Sequence, residues 1–152
     1  MWGTDATSTV TLEDGAVTIF VAVDHCTLEG VGIHVARQAT LFEALEPIRQ
    51  GVRQQFEAFA VGLQVRHDHG SQYMSADFQA ELRFLGITSS PAFVRALEDN
   101  GIAERFIHTL REQLLWVHTF HTVEELRHAL QAWLVSYNEQ WLGERYGFRT
   151  PV

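Results

Sequence analysis

The chain has 152 residues, of which 46% are hydrophobic and 20% charged, and its 11 basic and 19 acidic residues give a formal net charge of −8. This length suits a single domain with a core of its own. The acidic balance argues against a free-standing, sequence-independent nucleic-acid binder, which needs basic side chains to replace the counterions of phosphates, but it does not exclude an enzyme that acts on nucleic acid.

The sequence indicates neither a membrane span nor a disulfide. The longest strongly apolar run, residues 17–23, has the length of a strand and falls short of the roughly 18 residues that a membrane span needs. No basic segment followed by an apolar one stands at the N-terminus, so no signal peptide is visible. Cys26 is the single cysteine, which excludes an internal disulfide and favours a reducing, cytoplasmic compartment.

Three strands are predicted before the first helix. Residues 2–11 alternate β-forming residues with small polar ones, and the Glu-Asp-Gly of residues 13–15 is a turn signal. Residues 16–23 are almost continuously apolar, as expected for a strand buried on both faces. A turn at 24–28 leads to a third strand at 29–36. The short connections predict an antiparallel meander.

A capping box formed by Thr40 and Glu43 opens the first predicted helix. Pro47 lies inside this helix and cannot donate to the hydrogen-bond ladder, so we expect a kink or a break near Glu46. The apolar stripe of this helix comprises Leu41, Leu45, Ile48, Val52, Phe56 and Phe59.

Short strands and helices are then predicted to alternate. Residues 63–67 form a fourth strand, which can pair in parallel with the first because a helix precedes it. Residues 75–85 form a short helix that ends at Gly86, and residues 87–89 form a brief edge strand. Residues 90–98, with an internal proline, are predicted to be a mobile loop.

Two helices complete the predicted fold. The first covers residues 100–116, and a capping box of Thr122 and Glu125 starts the second. Their apolar faces comprise Ala103, Ile107, Leu110 and Leu114 in the first, and Val123, Leu126, Leu130, Trp133, Leu134 and Tyr137 in the second. A mixed sheet with helices on both faces is the natural packing for this order of elements.

Three carboxylates stand where this fold would bring them together. Asp5 lies on the first strand, Asp68 directly follows the fourth, and Glu104 lies one turn into a helix. Close carboxylates raise one another's pKa, and divalent cations such as Mg²⁺ and Mn²⁺, which prefer hard oxygen ligands, remove that cost. Two such ions can clamp the attacking and leaving oxygens of a phosphodiester displacement, so the trio points to metal-assisted phosphoryl transfer. Three acids chosen arbitrarily from a sequence usually lie on the solvated surface or cap helices. The local motifs decide between this ordinary interpretation and a metal site.

Short motifs surround the acids at a defined spacing. Residues 68–73 read Asp-His-Gly-Ser-Gln-Tyr, 35 residues lie between Asp68 and Glu104, and residues 99–107 read Asp-Asn-Gly-Ile-Ala-Glu-Arg-Phe-Ile. Asp5 follows Trp-Gly-Thr. Further matches are Ser89-Ser90-Pro91, Leu110-Arg111-Glu112, Trp133 with Tyr137-Asn138, and Thr150-Pro151. Together these motifs resemble the catalytic cores of the insertion-sequence transposases in the retroviral-integrase superfamily.

The resemblance spans essentially all of residues 1–152 and implies one catalytic core domain. It implies an RNase H-like fold, an α/β structure with a five-stranded mixed sheet in the order 3-2-1-4-5, whose first three strands are antiparallel. It also implies cleavage at the ends of a mobile element and joining of the 3′ hydroxyl to target DNA. The implied partners are DNA and further copies of the chain, with no membrane and no small-molecule cofactor.

The resemblance also assigns site residues. Asp5, Asp68 and Glu104 would be the catalytic residues and would hold two Mg²⁺ or Mn²⁺ ions. The residues expected to contact DNA are His69, Gln72, Tyr73, Asn100 and Arg111. Arg111 stands where the family has a lysine, which preserves the charge but not the geometry. No helix-turn-helix precedes Trp2 as it does in full-length relatives, so we expect the chain to be a fragment.

Four alternatives stay open on the sequence. The chain could be a catalytically silent DNA-binding or assembly module of the same fold, or a nuclease acting on RNA–DNA hybrids. A zinc site could draw on His67 and His69 together with His118 and His121. Asp24, at the end of the second strand, is either a fourth acid of the site or the cap of a turn.

Overall fold

The computed structural model describes residues 1–56, 59–68, 70–91 and 100–145, with side chains described as far as residue 140. Five strands and five α-helices run through these residues. In chain order they are β1 (Trp2–Thr11), β2 (Gly15–Asp24), β3 (Gly30–Ala36), α1 (Leu41–Gln55), β4 (Gln64–His67), α2 (Ser71–Met74), α3 (Ala76–Phe84), β5 (Thr88–Pro91), α4 (Gly101–Leu110) and α5 (Val123–Arg145). A π-helical turn, Arg111–Leu115, continues α4.

The strands form one mixed sheet in the order β3-β2-β1-β4-β5. β1 pairs antiparallel with β2, and β2 antiparallel with β3, whereas β4 lies parallel to both β1 and β5. The predicted strand order and directions are confirmed. Only Trp2 and Gly3 of β1 pair with β4, so the two strands diverge just before Asp5.

The sheet carries a separate hydrophobic core on each face, because successive side chains of a strand point to opposite sides. On one face Phe20 and Ala22 of β2 pack with residues of α1 and α3. On the other face Ile19, Val21 and Val23 pack with residues of α4 and α5. The prediction of helices on both faces is confirmed.

A kink or a break was predicted near Glu46; helix α1 continues through Pro47, so the break is wrong. Pro47 is buried against β3, where a Cβ on Gly32 would stand only 2.0 Å from the carbonyl oxygen of Pro47. Pro47 therefore lies where the helix approaches β3 most tightly against Gly32, in a packed environment that holds the helix together although proline removes one backbone hydrogen bond.

Other differences from the predicted elements are small. The helix predicted at 75–85 is preceded by the one-turn helix α2, and Ser75 caps α3 by accepting a hydrogen bond from the Phe78 amide at 3.2 Å. Gly86 follows α3 with φ of +79°, as its predicted capping role requires. The strand predicted at 87–89 runs instead from Thr88 to Pro91. The rest of the predicted loop, 92–98, and the last residues, 146–152, lie outside the described residues.

None of the helices within the described ranges is long and apolar enough to cross a membrane.

Candidate active site

Asp5 lies in the middle of β1 and faces the side of the sheet on which α4 packs. It pairs with Val21 across the ladder, and its side chain is half-buried. Its Oδ1 accepts a hydrogen bond from the backbone N–H of Ala6 at 2.8 Å.

The pKa of Asp5 is raised from its ordinary value of 3.8 to about 6. Burial is the largest cause, because it removes water from the carboxylate, and the negative charges of Asp68 and Glu104 add to it. The Ala6 N–H and the positive charge of Arg111 hold this pKa lower than it would otherwise be. Asp5 therefore experiences the charge of both other predicted catalytic acids.

Asp68 follows directly after β4, and the strand register explains its position. Trp2 lies opposite Val65 and Gly3 opposite Arg66 in the parallel ladder, so two further residues along each strand bring Asp68 level with Asp5. The Asp68 side chain is exposed, and its Oδ1 accepts a hydrogen bond from the Gly70 N–H at 2.7 Å.

Glu104 lies in the first turn of α4 and is exposed. Its backbone N–H donates to the Asn100 carbonyl at 3.1 Å, which closes the first turn of the helix. The side-chain amide of Asn100 donates in turn to the carbonyl oxygen of Thr4 at 3.0 Å. The helix that carries Glu104 is thus attached to β1 one residue before Asp5.

The three acids share one electrostatic environment but are not gathered at ligand distance. Within the described residues, no three His, Cys, Asp or Glu side chains lie close enough together to hold a metal ion. The donors themselves suit a hard cation, because all three are carboxylates and Asp5 is already destabilised by its neighbours' charge. The assignment of these acids as metal ligands remains a prediction.

Comparisons with known proteins bear on the fold. The family model described as the integrase core domain matches residues 85–151, the segment that contains Glu104. Among solved structures, the catalytic core domain of BIV integrase is 21% identical, with a TM-score of 0.63 over 91% of this chain and 83% of that chain. The catalytic domain of Mos1 mariner transposase is 9% identical, with a TM-score of 0.71 over 97% of this chain and 76% of that chain.

The chain has the RNase H-like fold of an integrase core. The sequence resemblance to integrase and transposase cores is confirmed at this level.

Two further structures extend the comparison. The HTLV-2 integrase catalytic core, solved in complex with magnesium in a trimeric form, is 16% identical, with a TM-score of 0.58 over 93% of this chain and 81% of that chain. A chain of the simian T-cell lymphotropic virus intasome, in complex with PP2A regulatory subunit B56 gamma, is 20% identical with a TM-score of 0.60. That match covers 73% of this chain but only 38% of the intasome chain. A comparison with curated protein sequences found no match.

Within this integrase core fold, two of the residues expected to contact DNA lie inside the protein. Tyr73 is fully buried on the face opposite Asp5, and its ring contacts those of His67 and Phe78 at centroid distances of 5.6 and 5.4 Å. Burial raises the pKa of Tyr73, and the charge of Asp5 adds to the effect. Asn100 is only 6% exposed. Contact with DNA would require both side chains to leave this arrangement.

The other residues expected to contact DNA have different positions. Gln72 is partly exposed on α2, and His69 lies outside the described residues. Arg111 is partly exposed, and its Nε and Nη2 both donate to the hydroxyl of Thr7, the Nε at 3.1 Å. Thr7 stands two residues beyond Asp5 on the same face of β1, which places the guanidinium beside the acids. Sequence reasoning missed this contact, although the Asp-x-Thr spacing of residues 5–7, which puts both side chains on one face of the strand, was available as a signal.

His67 has a structural role and does not belong to a zinc site in the described part of the chain. It is fully buried, its Nδ1 is 2.7 Å from the Asp68 carbonyl oxygen and its Nε2 is 2.6 Å from Ser89 Oγ. These contacts join the end of β4 to β5. His118 and His121 are exposed elsewhere on the surface.

Asp24 caps a turn, which is one of the two alternatives that the sequence left open. Its Oδ1 accepts hydrogen bonds from the backbone N–H groups of Cys26 at 2.7 Å and Thr27 at 3.0 Å. The carboxylate is therefore committed to the β2–β3 turn.

Proposed function

We propose that this chain is the catalytic core of a DNA transposase or integrase, in which Asp5, Asp68 and Glu104 hold divalent metal ions for phosphodiester cleavage and strand transfer. The observation that carries the proposal is the raised pKa of Asp5, to which the charges of both Asp68 and Glu104 contribute. On an integrase core fold, three carboxylates whose negative charges interact in this way are suited to bind a cation.

Each acid has a distinct part in the proposal. Asp5 is the half-buried member on a central strand, so its position is the best defined of the three. Asp68 directly follows β4, and Glu104 lies on α4. Both side chains are exposed, so both can turn toward Asp5. Mg²⁺ or Mn²⁺ bound by these carboxylates would activate the attacking water or 3′ hydroxyl and stabilise the charge that develops on the leaving oxygen.

Neighbouring residues have supporting parts. Arg111 holds a positive charge next to Asp5 and still exposes part of its side chain, which suits a contact with a phosphate of DNA. Gln72, which is partly exposed and lies four residues after Asp68, is proposed to contact DNA as well, together with His69. Since the net charge is −8, we propose that much of the affinity for DNA comes from bound metal ions and from residues beyond this domain.

DNA and further copies of the chain are the proposed partners. An intasome is the assembly in which the matching simian T-cell lymphotropic virus chain was solved. The HTLV-2 core has been solved in dimeric and trimeric forms. These neighbours support a multimer acting on DNA as the working state.

A second candidate is a catalytically silent DNA-binding or assembly module of the same fold. One observation favours it: within the described residues the acids are not close enough together to form a metal site. The two candidates differ in whether the acids bind a divalent ion and use it to cleave DNA.

Calorimetric titration of Mn²⁺ into the chain and into Asp68→Asn separates the two. The matched control is Asp24→Asn, which makes the same chemical change at the turn-capping acid. We expect saturable binding to the parent and to Asp24→Asn, lost in Asp68→Asn, with Mn²⁺-dependent nicking of supercoiled plasmid following the same pattern. Equal binding by all three proteins would overturn the assignment of Asp68, and binding without nicking would favour the silent module.

A further inference from the structure

Arg66 lies on β4 two residues before Asp68, so the alternation of an extended chain places both side chains on one face of the sheet. The two neighbours of Arg66 belong to the opposite face. Val65 and His67 are fully buried there, in the core formed with α1 and α3. Arg66 therefore lies on the face of the sheet that carries Asp5 and α4.

A hydroxyl of the neighbouring strand orients the Arg66 guanidinium. Arg66 stands opposite Ser90 in the parallel ladder, and its Nε donates to Ser90 Oγ at 3.1 Å. Both side chains are partly exposed. The charge of Arg66 also acts at the end of β2: burial is the largest cause that lowers the pKa of His25, and the positive charges of the chain's amino group and of Arg66 add to it.

Arg111 is held in a similar way on the other side of the acids. Its Nε donates to the hydroxyl of Thr7 on β1 at 3.1 Å. Gly3 is level with Arg66 in the ladder, so Thr7 stands four residues, or about 13 Å, further along β1. Asp5 is midway between these two levels. The acids therefore lie between two guanidiniums, each of which a strand hydroxyl holds on the same face of the sheet.

The bond to Ser90 adds little to the attachment of β5. That strand already pairs with β4 along Thr88–Pro91, and Ser89 Oγ lies 2.6 Å from His67 Nε2. What the bond does supply is a fixed orientation for a charged and partly exposed group. A guanidinium presents planar N–H donors that match the oxygens of a phosphate, and little side-chain freedom is lost on binding when the group is already oriented.

We propose that Arg66 binds a backbone phosphate of the DNA strand that lies across the acids, on the side away from Arg111. A phosphodiester held at the acids continues into a further phosphate in each direction. A strand that runs along β1 would bring one of these phosphates to each guanidinium. The placement of DNA at the acids rests on the proposed function, whereas contact between Arg66 and a phosphate can be measured without cleavage.

The test measures binding of a short fluorescein-labelled DNA duplex by fluorescence anisotropy, over a series of NaCl concentrations, in Mn²⁺ and in EDTA. The variants are Arg66→Gln, Arg66→Lys and Ser90→Ala. The matched control is Arg83→Gln, because Arg83 is an exposed arginine of α3, which packs on the opposite face of the sheet. Each protein is also titrated with Mn²⁺ by calorimetry.

We expect Arg66→Gln to bind the duplex about tenfold more weakly than the parent, the scale of one hydrogen bond to a charged group. The slope of log K against log [NaCl] should become shallower by about 0.9, because one phosphate contact is lost. Arg66→Lys keeps the charge and should keep the parental slope. Ser90→Ala should also keep the slope and bind roughly threefold more weakly, since the guanidinium is less well oriented. Arg83→Gln should bind DNA like the parent, and no variant should change the Mn²⁺ affinity.

Two results would overturn the phosphate contact. One is the same affinity and salt slope in Arg66→Gln as in Arg83→Gln. The other is a parent chain that binds no duplex in either buffer. If the parent neither binds Mn²⁺ nor nicks plasmid, the proposed function fails, but weaker and less salt-dependent binding by Arg66→Gln in EDTA still supports the contact.

A measurement on the parent chain decides the question if Arg66→Gln does not fold. Phenylglyoxal modifies accessible arginines, and peptide mass spectrometry reports the rate at each of them. Bound duplex should slow the modification of Arg66 and leave that of Arg83 unchanged. Equal rates at Arg66 with and without duplex would contradict the proposal.

Discussion

The β3 edge of the sheet and the region of β1 and α4, which carries two of the acids, differ in how their polar groups are hydrogen-bonded. β3, the edge strand on one side, has five backbone groups bonded by side chains of α1 and α5. The bonds join Gly30 N and O to Asn138, Ile33 N to Gln50, Ile33 O to Gln131 and Val35 O to Arg127, at 2.9–3.2 Å. An edge strand covered in this way offers few free groups for pairing with another chain.

In the region of β1 and α4, some buried polar atoms have no hydrogen-bond partner among the described residues. Asn100 attaches a helix to a strand, as Asn138 does, but only one of its two polar atoms has a partner in the described residues. Asp5 stands nearby with a raised pKa, chiefly because it is buried and also because of the negative charges of Asp68 and Glu104. The contrast indicates that β3 and its helices provide stability, whereas the region around β1 and α4 keeps unfavourable interactions that a ligand can relieve. Four predictions test this contrast.

The largest effect is expected for Glu104→Gln. It removes one charge from the acids without changing the size of the side chain, so Mn²⁺-dependent DNA cleavage should fall by roughly a thousandfold or more. The measurement is the rate of plasmid nicking, with Asp24→Asn as the control that should stay within about twofold of the parent. If Glu104→Gln nicked plasmid at the parental rate, Glu104 would not be one of the catalytic acids.

Asn138→Ala tests the stabilising side. It leaves the Gly30 N–H and carbonyl without their side-chain partner, and a buried backbone group left unpaired costs about 1–3 kcal/mol of the free energy of unfolding. Urea denaturation measures the loss. Ser136→Ala, at an exposed position of the same helix, should change stability by less than about 0.5 kcal/mol. Equal losses in the two variants would contradict the contrast.

Asp5→Asn should stabilise the protein at neutral pH in the absence of divalent ions. The folded-state pKa of Asp5 is raised from 3.8 to about 6, so between pH 4 and 6 the folded chain keeps a proton that the unfolded chain has released. Stability attributable to Asp5 therefore falls as pH rises through this window, and the penalty persists above pH 6. The variant should be more stable by about 1–3 kcal/mol at pH 7.5, since one pKa unit corresponds to about 1.4 kcal/mol.

Urea unfolding at pH 4.5 and pH 7.5 makes the comparison for Asp5→Asn. The difference between parent and variant should be larger at the higher pH. If the stability difference between parent and variant were the same at both pH values, Asp5 would not titrate between them. Added Mn²⁺ should stabilise the parent but not Asp5→Asn.

The smallest effect is expected for Arg111→Gln. The guanidinium lowers the pKa of Asp5, so its removal should move that pKa further upward. Titration of the Asp5 carboxyl carbon by NMR measures the shift. Arg105→Gln, which removes an exposed cation from α4, is the control and should leave the pKa of Asp5 unchanged. Stability should change by less than about 1 kcal/mol in both variants, because exposed charges contribute little.

Much of the fold was predictable because its signals are local. Residues 2–11 were predicted as a strand from alternation alone, and β1 has these bounds. Thr40 caps α1 and Thr122 caps α5 through the amides of Glu43 and Glu125, three residues along in each case. The break at Pro47 was a wrong prediction because its outcome depends on packing against β3, which the local pattern does not contain.

From the sequence alone came the prediction that Asp5, Asp68 and Glu104 form the site, together with their spacing and, through the family resemblance, a strand order that the structure confirms. Only the tertiary structure decided that Tyr73 and Asn100 are buried, that Arg111 reaches Thr7, and that Asn100 bonds to a carbonyl 96 residues away. The physical reason is that burial and electrostatic shifts depend on neighbours in space. A motif specifies which groups are present, and the fold sets how much water and charge surround each of them.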